Sequence, residues 1–394
     1  MLPALSRCIS QVNFTGVRGL VRMSHSLTLA NDKRLAQWNR AISNAEKIVG
    51  LPSSNFTMKL LMSDSGVGAG SHIRKLLNTT HPVIKTIKKL IYNGRNNLQT
   101  RGLVILLLSR CAGHIEGSPQ MLLGEWEEAT VDGITERQKN LSEIVEMVYT
   151  SHLIHRDVLN LSRELITDES LLNDLQYGNK IAILVGDILI ANASKKTSEL
   201  NNCKVLELIA SAIGNFMKSE FVVRHDTFGK PFPAASMTSS HWEDRIVLNS
   251  GALLSSACQS TVLMAGHGDS AQQKANEFGK CLGLVWQLHE ELQPFSNLIY
   301  QAPGAPFDLT SLPCVLFLER NPHLVQSLET SLENINHIDY SDLYTQILAS
   351  GCVEEANLRL NSYVHECLAN LDTFDSCYKA KQALTDIIEA MKHV

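Results

Sequence analysis

The sequence lacks any Cys-x-x-Cys pair, although nine cysteines are scattered along its 394 residues. A zinc site or a disulfide framework needs cysteines that are closely spaced or densely patterned, and neither arrangement occurs here. Both are therefore excluded as organisers of the fold. We expect reduced thiols that are mostly buried in the protein interior.

Strong charge and long apolar runs are missing as well. The formal net charge is −5 and only 19% of the residues are charged, so the chain has no basic footprint for a nucleic acid. The longest apolar run covers 102–108, far short of the roughly 20 residues that span a membrane as a helix. We expect a soluble globular protein without a transmembrane segment, which leaves room for peripheral contact with a membrane.

Acidic residues are absent from the N-terminal 31 positions. This segment contains Arg7, Arg18, Arg22 and four serines, interspersed with Leu, Ile and Val. A basic amphipathic leader without a long apolar core is typical of a mitochondrial presequence and not of a secretory signal. We predict a presequence at 1–31 and hence a location in the mitochondrial matrix. A basic disordered tail is the alternative.

Helical periodicity dominates the rest of the chain, and an alternation of strands and helices is not seen. The clearest apolar stripe consists of Leu206, Ile209, Ile213, Phe216 and Met217. Breakers such as Tyr177-Gly178-Asn179 separate the stripes. The run GVGAG at 66–70 lacks the spacing of a nucleotide-binding loop, so we interpret it as a helix–helix connection. We predict an all-α fold with one large domain over 32–394.

Residues 153–160, with the sequence LIHRDVLN, look like a metal-binding helix that has lost most of its ligands. On a helix, residues at i and i+4 share a face, with residue i+1 beside them. Carboxylates at these positions would hold Mg²⁺ ions that bridge to a diphosphate. Here the positions carry Arg156, Asp157 and Asn160, so one carboxylate remains and the arginine would repel a metal. Its guanidinium could instead meet a diphosphate directly.

Together with three further segments, this motif resembles the trans-polyprenyl diphosphate synthase family. Residues 178–187 (GNKIAILVGD) are similar to the family's Gly-Asn-Lys-x-x-x-Leu-x-Gly-Asp helix, and 283–291 (GLVWQLHEE) to its second acidic motif. Ser350-Gly351, followed by an amphipathic helix pair, resembles the family's C-terminal end. By these four ordered matches, which cover roughly 38–394, the chain is identified as a member.

The resemblance implies a single helical bundle of the isoprenoid synthase type with a central, mostly apolar cavity. In this family, Mg²⁺ ions between two acidic helices grip the diphosphate of an allylic primer. The double bond of isopentenyl diphosphate then attacks the allylic cation, which the dry cavity protects from water.

The chain departs from the family's pattern where phosphate or metal is bound. In the second motif, Glu290 and Glu291 replace aspartates and Pro294 replaces the third carboxylate. A loop that normally carries several cations keeps only Arg101, and Tyr149 replaces a histidine. Each lost cation removes a charge-assisted phosphate contact of about 1.5–3 kcal/mol. A self-sufficient active site is therefore not expected.

The resemblance leaves a short set of candidate site residues. The candidate metal ligands are Asp157, Glu290 and Glu291; the candidate substrate-binding residues are Arg101, Lys180 and Gln287; and the degraded catalytic position is marked by Arg156, Asp157 and Asn160. For Asp157, a plain ion pair with Arg156 or Arg163 is the alternative. For the two glutamates, it is a solvated helix end near Pro294.

Other polar residues near the motifs are expected to be structural. His152 and His155 would line the wall of the degraded cavity. Lys180 and Asp187 share a helix face and would form a polar pair there. Ser151 is small, and in the family a small residue at this position permits long products.

Some heteromeric synthases of this family pair a chain whose aspartate motifs are intact with a chain whose motifs are lost. The sequence resembles the second type of subunit, found in the mitochondrial decaprenyl and solanesyl diphosphate synthases that make the ubiquinone side chain. The resemblance implies an accessory subunit that is inactive alone, with Mg²⁺ held mainly by a catalytic partner. A stand-alone prenyltransferase or terpene synthase and a non-enzymatic polyprenyl-lipid-binding scaffold are the alternatives.

Overall fold

The computed structural model describes residues 36–50, 81–83, 86, 100–115, 133–161, 166–225, 231–234, 236–296, 307–330 and 338–392. The predicted presequence at 1–31 and the connection at 66–70 lie outside these residues.

Helices make up nearly all of the regular structure within the described residues. They are α1 (36–49), α2 (Thr100–Ala112), α3 (Glu136–Arg156), α4 (Glu169–Glu199), α5 (Cys203–Val222), α6 (Ser239–Ile246), α7 (Ala252–Met264), α8 (Asp269–Leu292), α9 (Leu312–Arg320), α10 (Pro322–Thr330), α11 (Tyr340–Ala349), α12 (Cys352–Leu371) and α13 (Tyr378–Met391). Two short strands, β1 (Arg224–His225) and β2 (Pro231–Phe232), pair antiparallel. The predicted all-α fold class is confirmed.

Local capping chemistry determines where the helices around the candidate site begin. Before α3, the Thr135 side chain accepts from the Gln138 backbone, and the Gln138 side chain accepts from the Thr135 N–H. Asp168 and Asn202 each accept from two backbone N–H groups at the starts of α4 and α5. These three helices therefore start at residues whose side chains satisfy otherwise unpaired donors.

The centre of the core is the close packing of α7 and its preceding turn against α8. A Cβ atom at Gly283 would lie 2.6 Å from the Cα of Gly251, and one at Gly279 would overlap the backbone of Leu254. The two helix backbones can approach this closely only because these positions carry glycine. The approach fixes the position of the second motif, which lies on the last turns of α8.

A π-helical turn at Val247–Gly251 joins α6 and α7 into one helical stretch over Ser239–Met264. By length and composition alone this stretch could cross a membrane, but 72% of its most apolar window is buried inside the protein. That degree of burial is usual for a core helix. The apolar run at 102–108 lies in α2 and is buried throughout.

Two sequence predictions about helices are wrong in detail. Residues 177–179 do not break a helix but lie inside α4, where Gly178 packs against another part of the chain. In α5, Ile209 and Phe216 are buried as predicted, whereas Leu206 and Met217 are 43% and 45% exposed. The apolar residues of α5 therefore lie on two faces of the helix, and only one of these faces packs against the core.

Candidate functional site

The first motif lies where α3 ends. The helix stops at Arg156, Asp157 caps it, and Leu159 and Asn160 follow in irregular backbone. The prediction that Arg156 and Asn160 share a helix face is therefore wrong. The Nε atom of Arg156 lies 3.9 Å from Oε1 of Glu220 on α5, so a carboxylate already neighbours this cation.

The backbone after α3 is held by the side chain of Asn179 on α4. Its Nδ2 donates to the Leu159 carbonyl and its Oδ1 accepts from the Leu159 N–H, both at 2.8 Å. The Oδ1 atom also lies 3.0 Å from Nε2 of His81, whose Nδ1 accepts from the Val83 N–H. Because Nδ1 is an acceptor, Nε2 carries the proton and donates. We call this arrangement the Asn179 clamp; it gives the retained Gly-Asn-Lys sequence a structural task.

Two glycines of α4 make room for imidazole rings. A Cβ atom at Gly178 would overlap the ring of His81, and one at Gly186 would overlap the ring of His155. The Gly186 carbonyl also accepts from the Ser151 hydroxyl at 2.8 Å. The glycines of the 178–187 motif thus bring α3 and α4 together, and Ser151 is a buried part of that contact.

The predicted pair between Lys180 and Asp187 is replaced by another contact. Oδ1 of Asp187 lies 3.4 Å from Nε2 of His155, and 63% of the Asp187 side chain is exposed. Lys180 is exposed as well. These residues lie at the protein surface and not in the wall of an internal cavity.

Glu220 on α5 is approached by three basic side chains, two from α3 and one from β1. Its carboxylate lies 3.9 Å from Arg156, 3.6 Å from His225 and 4.0 Å from His152. His152 is buried and stacks on Phe216 at 4.4 Å between ring centroids. Burial lowers the pKa of His152 to about 3, and the nearby cation of Arg156 acts in the same direction. His152 is therefore neutral, and Arg156 carries the charge that faces Glu220 from α3.

The second motif separates its two glutamates. Glu290 is exposed and Glu291 is buried. Oε2 of Glu291 accepts from the indole Nε1 of Trp242 at 2.9 Å and from the Leu312 N–H at 2.8 Å. Its Oε1 accepts from Nε2 of Gln287 at 2.9 Å. A solvated helix end is therefore wrong for Glu291, because its oxygens accept hydrogen bonds from three parts of the fold.

An arginine completes the surroundings of Glu291. Arg245 lies 3.9 Å away and donates to the hydroxyl and the carbonyl of Thr310 at 2.8 and 2.9 Å. The Thr310 hydroxyl in turn donates to Asp308 at 2.7 Å. Burial raises the pKa of Glu291 to about 7 against the opposing effect of Arg245. We call Glu291, with Trp242, Arg245 and Leu312, the Glu291 hub.

A small cleft separates the two motif regions. Its walls are formed by Arg156, Ser219, Glu220, Val223, His225, Pro231, Arg245, Ile246, Asn249, Gln287 and Asp308. The cavity has a volume of about 40 Å³, which is room for about one to three water molecules. The two cations of the cleft each have a carboxylate of the same chain as a neighbour, Glu220 for Arg156 and Glu291 for Arg245. The positive charge in the cleft is therefore balanced by these carboxylates.

Arg101 lies in the protein interior between α3 and α8. Its guanidinium carbon is 3.3 Å from the ring centroid of Tyr149 on α3 and 4.8 Å from that of Trp286 on α8. The nearby Glu146 on α3 accepts a hydrogen bond from the Gly102 N–H at 2.6 Å. Burial raises the pKa of Glu146 to about 8, against the opposing effects of this hydrogen bond and of the Arg101 charge. Arg101 is 3% exposed, so the retained cation is directed at aromatic rings.

The residues described do not fit a pair of Mg²⁺ ions between the two motifs. No group of three His, Cys, Asp or Glu side chains in the described part of the chain could hold a metal. Arg156 occupies one ligand position, and the oxygens of Glu291 accept from protein donors. A residual metal role for Asp157 or Glu290, and substrate binding by Arg101, Lys180 or Gln287, stay predictions.

Sequence reasoning missed the residues that complete these contacts, namely Glu146, Glu220 and Arg245. Arg245 gave a usable signal, because it precedes the long apolar stretch of α7 and a buried arginine needs a carboxylate. No comparable signal marks Glu220, whose partners come from distant positions in the chain.

Comparisons with known proteins agree with the fold and the motifs. A sequence model of the polyprenyl synthetase family matches residues 86–297. The chain is 34% identical to All trans-polyprenyl-diphosphate synthase PDSS2 of Rattus norvegicus over 360 residues, which are 90% of this chain and 87% of that protein. It is 23% identical to Decaprenyl-diphosphate synthase subunit 1 of Schizosaccharomyces pombe over 265 residues, 64% of this chain and 69% of that protein.

Solved structures share the fold at low sequence identity. The heptaprenyl diphosphate synthase of Staphylococcus aureus matches with a TM-score of 0.60 and 15% identity, over 82% of this chain and 95% of that one. A polyprenyl synthase of Caulobacter crescentus, complexed with calcium and isoprenyl diphosphate, matches with a TM-score of 0.57 and 18% identity, over 86% and 98% of the two chains. These matches confirm the isoprenoid synthase type of bundle.

Proposed function

Because the chain belongs to the polyprenyl synthetase family, we propose that it is the accessory subunit of a heteromeric trans-polyprenyl diphosphate synthase. The enzyme would add isopentenyl diphosphate units to an allylic primer and make the side chain of ubiquinone. Catalysis would take place in a partner chain with intact aspartate motifs. This chain alone would be inactive.

The observation that carries the proposal is the internal neutralisation of the cleft. A synthase must hold a metal–diphosphate complex between its two motifs, which needs free carboxylates and free cations. Here Arg156 has Glu220 as its neighbour, and Glu291 belongs to the hub. A fold of this family whose motif side chains are engaged with other groups of the same chain is the expected state of a subunit that acts through another chain. Mg²⁺ would accordingly be held mainly by the partner.

An exposed apolar face supports association with such a partner. Large hydrophobic residues are exposed on α4 and α5: Ile183 44%, Leu184 47%, Leu206 43%, Met217 45%, Phe221 90% and Val222 56%. His155, at the end of α3, contacts the Ile183 carbonyl on α4, and the adjacent Arg156 neighbours Glu220 on α5. Ile183 on α4 and Phe221, which is adjacent to Glu220 on α5, therefore lie close to one end of α3. We call the six exposed apolar residues the α4–α5 face. Exposed apolar patches with polar rims are typical of subunit interfaces.

The relatives support the setting of this proposal. One related protein is named as a subunit of decaprenyl-diphosphate synthase, and the probable hexaprenyl pyrophosphate synthase of Yarrowia lipolytica is named as mitochondrial. The basic leader at 1–31 suits import into the mitochondrial matrix. We propose that location for the assembled enzyme.

The test is isoprenoid synthesis from labelled isopentenyl diphosphate and a farnesyl-type primer with Mg²⁺. It compares this chain alone, its intact-motif partner alone, and the two co-expressed. We expect long-chain product only from the mixture. Full-length product from the partner alone at an unchanged rate would overturn the proposal, and product from this chain alone would indicate a stand-alone synthase. A co-purifying polyprenyl lipid without effect on any synthase would indicate a scaffold.

The α4–α5 face is tested with a matched pair of variants. Phe221→Glu places a charge on the face, whereas Leu358→Glu places one on α12 at a residue that is 70% exposed. We expect Phe221→Glu to abolish co-purification and product formation, while Leu358→Glu leaves both unchanged. Equal behaviour of the two variants would rule out this face as the partner site.

A further inference from the structure

A second cavity lies between the start of α6 and the helices α9 and α10, away from the cleft of the candidate site. Its volume is about 280 Å³, and it shares no lining residue with that cleft. An apolar cavity of about 150 Å³ is large enough to bind benzene. The second cavity therefore has room for an organic molecule about twice as large as benzene.

The walls of this cavity are mostly apolar. The larger apolar lining residues are Pro233, Met237, Val315, Leu318, Pro322 and Val325. Val315 and Leu318 are three residues apart on α9 and share a face of the helix, and with Val325 of α10 they are at most 5% exposed. Proline has no N–H group, so the two prolines offer no backbone donor. The deep part of the cavity therefore suits hydrocarbon better than a strongly polar group.

The edge of the cavity carries a negative charge. Among the described lining residues, Glu319 on α9 is charged and no lysine or arginine is present. Glu319 is exposed, and its Oε1 accepts from the Ser239 N–H at 2.9 Å, which holds the carboxylate beside the start of α6. The neighbouring Arg320 donates to Glu355 and to the Ser350 carbonyl, so this cation is engaged with another part of the fold.

Contacts between α6 and α9 keep the cavity open. Trp242 of α6 and Leu312 of α9 both donate to the carboxylate of Glu291. At the start of α6, the Thr238 side chain accepts from the His241 N–H, which fixes the end of the segment that lines the cavity. Because these contacts fix the two helices relative to each other, the cavity is pre-formed, as small-molecule sites usually are.

We propose that this cavity is a binding site for a small apolar molecule that carries an amine. The hydrocarbon body would fill the space beside Val315, Leu318 and Val325, and the ammonium group would meet Glu319 at the edge. A diphosphate does not suit this position, because the edge offers it a carboxylate and no cation. The ligand therefore belongs to a different chemical class from the isoprenoid diphosphates, and the site stands independently of the proposed function.

Isothermal titration calorimetry of the full chain with three matched probes tests the charge preference. The probes are 1-naphthylmethylamine, the neutral 1-naphthylmethanol and the anionic 1-naphthoate, which share one apolar body. We expect the amine to bind about threefold to fivefold more tightly than the alcohol, the gain expected from an exposed charge contact, and 1-naphthoate to bind most weakly. In Glu319→Gln the amine should bind no more tightly than the alcohol, while the alcohol keeps its wild-type affinity.

A second pair of variants locates the probes. Ala234→Phe adds a ring at a lining residue, whereas Ala369→Phe adds the same ring at an exposed position of α12. We expect Ala234→Phe to weaken binding of the amine and of the alcohol by at least about tenfold, because the ring occupies the space of the apolar body. Ala369→Phe should bind both probes like the wild type.

The possible results separate the site from other surfaces. No saturable binding of the amine to the folded wild-type chain would overturn the proposal, and so would equal affinities for the amine and 1-naphthoate. Unchanged binding in a folded Ala234→Phe chain would place the probe elsewhere. Circular dichroism checks that each variant folds. If Ala234→Phe does not fold, Glu319→Gln still decides, because an amine preference that persists without the carboxylate contradicts the site.

Discussion

The end of α3 and the end of α8 each lack a metal-binding cluster within the described part of the chain, but for different reasons. At the end of α3, Arg156 and Asn160 stand where a metal-binding helix would carry carboxylates, and Arg156 is about half exposed beside Glu220. At the end of α8 a carboxylate is kept, but Glu291 is turned into the interior, where Trp242 and Leu312 donate to it. The end of α3 therefore differs from a metal site in its residue types, whereas the end of α8 differs in where its carboxylate points.

The difference shows how much the fold depends on each region. Exposed ion pairs contribute about 0–1 kcal/mol, so the residues at the end of α3 can vary with little effect on stability. A buried carboxylate that several donors share cannot be removed without leaving those donors unpaired. The carboxylate at the end of α8 therefore has a structural role.

The largest effect is expected from Glu291→Ala. The variant leaves the indole of Trp242 and the N–H of Leu312 without their acceptor and Arg245 without its anion, which costs about 3–5 kcal/mol of unfolding free energy. Glu290→Ala, on the exposed neighbour, should change the unfolding free energy by less than about 0.5 kcal/mol. Denaturant unfolding of both variants measures the comparison. Similar losses would mean that the hub is not what holds the end of α8.

The second test compares two glycines at helix contacts, one on α8 and one on α4, through the variants Gly283→Ala and Gly186→Ala. At Gly283 the new methyl group meets the backbone of Gly251, which cannot move without shifting α7, so we expect a loss of roughly 3 kcal/mol. At Gly186 it meets the ring of His155, which is partly exposed and can rotate outward, so we expect roughly 1 kcal/mol. Gly214→Ala, where nothing lies nearby, should be neutral or stabilising.

Thermal and denaturant unfolding of the three glycine variants ranks them. The predicted order of loss is Gly283, Gly186 and then Gly214. A larger loss at Gly186 than at Gly283 would reverse the comparison, because the contact at the end of α3 would then be the stricter of the two.

A third test uses pH and the buried Glu146 on α3. Its pKa is raised from 4.5 to about 8 in the folded protein. Below about pH 4.5 both the folded and the unfolded states are protonated. As the pH rises to about 8, only the unfolded state releases its proton, so wild-type stability is lost across this window. Glu146→Gln removes this dependence and should exceed the wild type by roughly 3 kcal/mol at pH 8 but not at pH 5.

Unfolding of both proteins at the two pH values provides the measurement. The lowered pKa of His152 has the opposite effect, since it reduces stability as the pH falls below about 6.5. It is present in both proteins and cancels in the difference. No gain at pH 8 would mean that burial does not destabilise the charged form of Glu146. The buried carboxyl group of α3 would then be as well compensated by its neighbours as Glu291 of α8.

The sequence predicts some of these features well and others not at all, for physical reasons. The all-α fold and the loss of ligands at Arg156 follow from local patterns, since helical periodicity and residue type are readable from the chain. The direction of Glu291 is not readable, because it depends on a tryptophan and a backbone N–H far away in sequence. For the same reason, the aromatic neighbours of Arg101 are not readable from the sequence, and its binding of substrate stays a prediction.

The Asn179 clamp gives a fourth and smaller effect. Asn179→Ala removes two hydrogen bonds to the Leu159 backbone and one from His81, a loss of roughly 2 kcal/mol in a partly buried site. Asn192→Ala, on the same helix, removes only a contact with the carbonyl of Ile188 and should cost less than about 1 kcal/mol. Faster hydrogen exchange at the Leu159 amide in Asn179→Ala alone would locate the effect. Equal exchange in both variants would contradict the clamp.

The smallest effect is expected at Asp187, an exposed carboxylate on α4 that contacts His155 near the end of α3. Asp187 contacts His155 at 3.4 Å, but it is 63% exposed, so solvent screens the pair. Asp187→Asn should change the unfolding free energy by less than about 0.5 kcal/mol at low and high salt. A loss above about 1 kcal/mol would show that the end of α3 depends on this carboxylate much as the end of α8 depends on Glu291. The contrast between an exposed contact at the end of α3 and a buried one at the end of α8 would then not hold, because carboxylates would support the fold at both ends.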